Sequence, residues 1–493
     1  MRSLNRRAQR ALLAFVCFAV PATAAAHGFG RLYNLPVPFW LYAWAASAVL
    51  VVSFLLAAVL TTANAPAGAP SERDITRAAW VRGLRRLMPL LKLLSVLLLA
   101  LCLATAFFGN AYPYRNFSMT FFWVVFLLGF TYLTAFIGNL YAVINPWRVI
   151  AESIGRFASS YQRGLFYYPK ALGDSPALVL YLAFIWLELF GHGKPMPLGW
   201  MLLSYSIINL VGAGLVGIRA WFRHCEFFAV YLRLIALISP LDYRPGIDGE
   251  RSTLHWRLPF AGLLQERPKS LSTIVFVMAM LSTTAFDGLR ATQTWVSLFW
   301  ADPTGVVNVL FGTPPMQDFA RMRSWYIGWE TLWLFAGAFV YLSIFLGFIW
   351  LTKRLARSPL SVRALAFDFA FTLLPIALAY HMTHYATLML TQGLKILSLV
   401  SDPFGWGWDL FGTEALFRAP ILPGMGWVWH SQVGLILIGH IISVFLSHRV
   451  ALRVFPSRGH AFWGQLPMLF LMIALTLFGL WILAQPLTVQ RMQ

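Results

Sequence analysis

Charge is what this chain has least of. Asp, Glu, Lys and Arg make up 11% of its 493 residues while 59% are hydrophobic, a balance too apolar for a soluble fold and typical of an integral membrane protein. Acid is scarcer still, with 18 Asp+Glu against 38 Lys+Arg. The net charge of +20 does not mark a nucleic-acid partner, because the basic residues fall in short loops between apolar runs about 20 residues long, which is topology signalling. Cysteine is nearly absent. Cys17, Cys102 and Cys225 fall in the leader, in an apolar run and in a basic loop, so no pair suggests a disulfide. Missing too are a Walker A sequence, an H-E-x-x-H helix, an H-x-H pair and a nucleophile elbow, so no short motif declares an ATP-driven motor, a zinc protease or a serine hydrolase.

What is present begins with an apparatus for the membrane. Arg2, Arg6, Arg7 and Arg10, the apolar ALLAFVCFAV and the small residues Ala24, Ala25 and Ala26 read as a secretory signal peptide over 1–26, with an uncleaved anchor as the alternative. Residues 27–493 then form one polytopic all-α domain. Ten apolar spans are expected, near 37–61, 88–109, 117–143, 176–190, 199–218, 271–287, 325–351, 364–400, 427–448 and 461–484. With the mature amino terminus outside, the loops at 62–92, 145–175, 219–270, 352–363 and 449–460 lie in the cytoplasm and hold 25 of the 38 Lys+Arg, as the positive-inside rule requires. Both mature termini are therefore expected in the periplasm and the spans in the bacterial inner membrane. The stretch Phe227–Leu241, apolar with Arg233 in its middle, is expected to lie along the inner surface as an amphipathic helix, or else to re-enter the bilayer.

The rare ionisable residues within the spans gather toward the outer side. Glu188 ends the fourth span, Asp287 ends the sixth and Glu330 sits about one turn into the seventh, so a polar pocket facing the periplasm is the simplest common explanation. The eighth span carries His381 and His384, about 60° and about 4.5 Å apart on a helix, so both rings can face one neighbour. The ninth span, running back antiparallel, carries His430 and, about 15 Å deeper, His440. His384 is level with one or the other, depending on the end from which depth is measured. Three or four imidazoles on adjacent helices suit a divalent transition metal, zinc or copper, or else iron or haem. Structural hydrogen bonding or proton relay is the competing use of the same rings. His27, if cleavage makes it the first residue, adds an α-amino nitrogen and a ring nitrogen that copper favours, with His192 or His430 as a further ligand. His448 reads as an interfacial anchor, and His224, His255 and His460 as solvated loop residues.

The outer loop SDPFGWGWDLFGT, Ser401 to Thr413, combines turn residues with aromatics suited to the headgroup level and could cap the pocket. Together with HGFGRLYNLPVPFWLY, the NPWR at 145–148, the FDG at 286–288, HYATLMLTQG and GHIISVFLSHRVAL, it resembles bacterial polytopic membrane proteins of the fenitrothion hydrolase-like family over most of the chain. The resemblance implies a membrane-bound organophosphate triester hydrolase. Such chemistry needs an activated water and a Lewis acid on the phosphoryl oxygen, supplied by one or two divalent ions held by His and carboxylate ligands, with Asp287, Glu188 or Glu330 as base or ligand. The apolar substrate would be collected from the lipid bilayer. The rival class is a metal or haem handler of the envelope, or a carrier whose histidines move protons.

Overall fold

The computed structural model describes residues 25–26, 33–34, 37–60, 72–191, 193–244, 252–417 and 424–485. The expected signal peptide, and the ligand candidates His27 and His192, lie outside these residues. Among the described residues, nine helical runs are long and apolar enough to cross a membrane, and the chain is an all-α polytopic bundle. We label helices α1 (Phe39–Leu60), α2 (Ala79–Phe108), α3 (Phe117–Ile137), α4 (Ser175–Phe190), α5 (Pro195–Val216), α6 (Phe227–Ala236), α7 (Leu271–Arg290), α8 (Phe319–Leu355), α9 (Leu374–Gln392), α10 (Met425–Val454) and α11 (Arg458–Ala484). The fourth expected span is α4, which at 16 residues is about 24 Å long, short for a full crossing. Pro176 in its first turn and Gly191 just past its end account for its bounds.

Burial sorts the helices into centre and rim. In α7, and in the run Val362–Ser401 that contains α9, 78% of the most apolar window is buried, against 6% in α2, so α2 faces lipid while α7 and α9 form the axis of the bundle. Small residues allow close approach along that axis. A Cβ on Gly439 would lie 2.5 Å from Ala379 Cβ, and one on Gly479 would lie 2.8 Å from the Tyr380 ring, so α10 and α11 rest directly on α9.

The loops gather at the two ends of the bundle, in the groups that loop charge suggested. Strands Arg73–Asp74, Thr253–Trp256 and Leu241–Arg244 form one small antiparallel sheet, while Arg267 and Arg453 both reach Asp368. These join segments expected on the inner side. At the opposite end, Asn110 N–H donates to Phe404 O at 2.7 Å and Phe117 N–H to Pro403 O at 3.2 Å, docking the SDPFG segment on the α2–α3 turn. Asp402 accepts from the N–H groups of Trp406 and Gly407, and Gly405 has φ +69 with Arg115 O only 2.4 Å from where a Cβ would stand. The loop is built for this seat; it bonds residues 110–117 and 397–401, and none of its residues lines the polar pocket it was expected to cap. Trp406 and Phe411 remain exposed, as an aromatic belt would be.

Helix α6 departs from the surface course expected for it and leaves the re-entrant alternative. It does not lie along a surface: eight of its ten residues are buried, with Phe228 against Phe126 at 4.9 Å and Phe227 against Phe184 at 5.0 Å. Two charged side chains, one at each end of the helix, make this possible. Glu226 caps its N-terminus, accepting from Phe228 N–H and Ala229 N–H. Arg257, 2% exposed, closes its other end by donating to Ala236 O and Ser239 O. An acid at the positive end and a cation at the negative end offset the desolvated termini. Arg233 turns back to Arg223 O and Asp174. Burial works against the Asp174 carboxylate, yet its bond with His224, the Arg233 charge and the Thr273 hydroxyl together hold its pKa below the ordinary value. His224, expected to be solvated, is thus a half-buried partner of Asp174.

Candidate functional site

The ionisable residues of α4, α7 and α9 converge around one hydroxyl. His384 Nε2 lies 2.7 Å from Asp287 Oδ2, and Tyr385 donates its hydroxyl to the same oxygen at 3.0 Å. Glu188 Oε1 stands 3.5 Å from that hydroxyl on the other side. One proton cannot serve two carboxylates, so the shorter contact makes Asp287 the partner and Glu188 a neighbour. Because the carboxylate accepts, Nε2 of His384 carries the proton and Nδ1 is the ring's basic atom. Nδ1 faces Gly288, 3.7 Å from where a Cβ would stand. The His384 and Asp287 side chains keep 24% and 21% of their surface exposed, so the pair sits at the edge of the bundle interior, within reach of a ligand.

Behind the pair is a pocket of about 30 Å³ whose wall includes Glu188, Asp287, His381, Tyr385, Tyr181 and Tyr231. That is room for one or two waters, held by several polar groups. His381 packs edge-on to Tyr132 with ring centres 5.7 Å apart and also contacts the Tyr385 ring; its Nδ1 is buried without a partner among the described residues. Tyr132 reaches it from α3, whose stretch Thr120–Phe130 is wound as a π-helix, a widened turn that resets the register of the residues after it.

The remaining candidates are elsewhere. Glu330, 2% exposed, pairs with Arg290 at 3.1 Å, and Arg290 also donates to Leu189 O, so this acid anchors α8 to the C-terminal ends of α4 and α7. His440 is fully buried, with Nδ1 on Ile436 O at 2.8 Å and its ring 5.7 Å from Tyr380. His430 is exposed, bonded to Gly426 O and beside Tyr42. His448, expected at the interface, is 3% exposed and bonds Gln465 Oε1 at 2.8 Å. Each span histidine packs on tyrosine or phenylalanine. Among the described residues no three His, Cys, Asp or Glu side chains come together as a metal site would require, and His440, turned to its own helix and Tyr380, does not join His384. The described candidates His381, His384, His430 and His440 are thus not gathered into one three-ligand set. Tyr385 was not singled out in the sequence, although a tyrosine in an apolar span needs a partner for its hydroxyl.

A second cavity, about 380 Å³, opens between α7, α8 and α11. Its wall is hydrocarbon apart from the Ser282 and Tyr341 hydroxyls and two indoles, Trp295 and Trp333.

The fold and site define a class: a polytopic membrane protein with a His–Asp pair, a tyrosine and a second carboxylate gathered between its central helices. Comparison with known proteins adds no relative, since no family model, curated protein or solved structure matches the chain.

Proposed function

We propose that this protein is a membrane-embedded hydrolase of apolar esters, of the organophosphate triester kind that the sequence resemblance implies, acting with its pocket toward the periplasmic face of the bacterial inner membrane. The observation that carries the reading is the 2.7 Å bond from His384 Nε2 to Asp287. It fixes the tautomer in which Nδ1 can take a proton from water, and the carboxylate then stabilises the imidazolium that forms. The water oxygen attacks phosphorus, the aryl oxide leaves with the bonding electrons, and the imidazolium returns its proton to the leaving oxygen. Tyr385 holds the carboxylate in place. Lipid is the reservoir from which such a substrate arrives.

The test is turnover of an aryl phosphotriester by protein purified into nanodiscs. His384→Ala is expected to lower the rate about 10²–10⁴-fold, the usual worth of a general base, with an unchanged elution profile. A folded His384→Ala protein with full activity would sink the reading. Chelator treatment is expected to leave the rate unaltered; loss of activity restored by added zinc would bring a metal, and the zinc or copper alternative, back into the site.

A second reading has its own observation. Glu188, Tyr385, Asp287 and His384 stand in series, the arrangement by which carriers pass protons. Proton uptake by vesicles containing the protein, without ester cleavage, would favour it over hydrolysis.

The orientation is open to a separate check. With basic loops inside, a cysteine replacing Arg357 is expected to resist an impermeant thiol reagent in intact spheroplasts, whereas one replacing Trp408 is expected to react. Labelling at 357 would invert the topology.

A further inference from the structure

We propose that the groove between α7, α8 and α11 is a binding site for one acyl chain of a bilayer phospholipid, with the chain's ester end beside Trp295. This does not rest on the hydrolase reading. The groove runs along α7, its wall extending from Met278 to Leu289, which is about 16 Å of helix and close to the ~15 Å depth of one leaflet. Much of the wall belongs to the bundle interior: Met278, Leu281, Phe345, Leu373 and Leu471 are all at most 3% exposed. Its rim is different. Trp333, Val340 and Ile344 are about two-fifths exposed or more, so the opening faces the zone where hydrocarbon is the solvent.

Size selects the occupant. Spread over about 16 Å, 380 Å³ is a cross-section of about 24 Å², a rod about 5–6 Å wide. A single file of methylenes, touching its walls at ~4 Å, fits that bore. A helix, ~10 Å across with its side chains, would need about three times the volume, which excludes a span of a second copy or of this chain. Water has too few polar partners to fill it. Polarity selects which end is up. Trp295 is 6% exposed and its indole N–H has no partner among the described residues, while Trp329 stacks on it at 4.3 Å and Trp333 packs edge-on. These indoles mark the headgroup level. An ester carbonyl there gives the Trp295 N–H its acceptor while the chain descends past Phe286 and Ser282.

The test uses full-length protein in phosphatidylglycerol–phosphatidylcholine vesicles doped with a phosphatidylcholine carrying a diazirine on one acyl chain. After irradiation, crosslinks are expected on peptides of α7, α8 and α11 that line the groove, well above those on the lipid-facing α2. Gly337→Phe and Ala474→Trp fill the bore from different helices. Each is expected to cut groove labelling severalfold by filling the space the chain occupies, without changing α2 labelling. Ala474 is exposed, so that variant carries the test should Gly337→Phe fail to fold. Trp295→Phe keeps the ring and removes the donor, and is expected to weaken labelling by phospholipid but not by a diazirine alkane. Labelling spread evenly over all lipid-facing helices, labelling untouched by Ala474→Trp, or labelling by a free diazirine fatty acid alone would each overturn the assignment.

Discussion

Asp287→Asn is expected to leave the bundle folded and to lower aryl phosphotriester turnover about 10²–10⁴-fold, nearly as much as losing His384 itself. The two side chains differ by one atom, so packing between α7 and α9 is retained. What changes is which ring nitrogen holds the proton. The carboxylate can only accept, and so keeps the proton on His384 Nε2 at 2.7 Å. An asparagine can donate its amide hydrogen instead, favouring the tautomer with the proton on Nδ1, where the base should be. It also withdraws the charge that faces the imidazolium. Tyr385→Phe separates these roles, because it deletes one 3.0 Å bond to Asp287 and leaves the acid in place. Its expected cost is about tenfold, one hydrogen bond to a charged group. Rates measured in nanodiscs with matched protein content decide the matter, and an Asp287→Asn protein as fast as the unaltered one would remove the pair from the chemistry.

The contrast between that pair and the expected histidine cluster marks where sequence reasoning loses its grip. Apolar runs located the spanning helices, because length and hydropathy decide what can cross a bilayer, but missed ends that run on into polar residues, as where α2 begins at Ala79 and not at 88. Loop charge grouped the connections onto two sides, and the sheet joining 73–74 to 253–256 agrees with that grouping. His384 and Asp287 were both picked out as ionisable residues in apolar surroundings. Their pairing was not, because it depends on the rotation of α7 against α9. Sequence depth put His384 level with a residue of α10, yet α9 turns that face to α7 and shows α10 the Ala379 side, where Gly439 admits close contact. Rotation about a helix axis is fixed by such small-residue contacts, and hydropathy carries almost no trace of them. The buried course of α6 was hidden for a related reason. Arg233 in an apolar stretch reads as a surface residue unless Arg257, twenty-four positions on, is known to close the helix end.

Glu226→Ala is expected to cost about 3–5 kcal/mol of stability, the range for stripping the partner from a buried polar network. The carboxylate is fully buried and accepts from four donors: the Tyr205 hydroxyl, Asn145 Nδ2 at 3.0 Å, and the backbone N–H groups of Phe228 and Ala229 at 3.1 and 2.7 Å. Alanine leaves all four inside without an acceptor and uncaps α6 where its dipole is positive. Glu226→Gln is expected to do less harm. Its carbonyl oxygen can still take the backbone donors, while its amide group confronts that of Asn145. Unfolding by sodium dodecyl sulfate titration in mixed micelles gives the order, with the unaltered protein most stable, Gln between and Ala least; an Ala variant matching the unaltered protein would show that the cap carries no energy. The effect should also reach the site. Helix α6 brings Tyr231 to the pocket wall, with its ring 6.4 Å from His381 and 6.2 Å from Tyr181. If the helix is held by its two caps, Glu226→Ala should lower turnover at temperatures where the protein is still folded, and Glu330→Gln, which loosens α8 without touching α6, should not alter that wall.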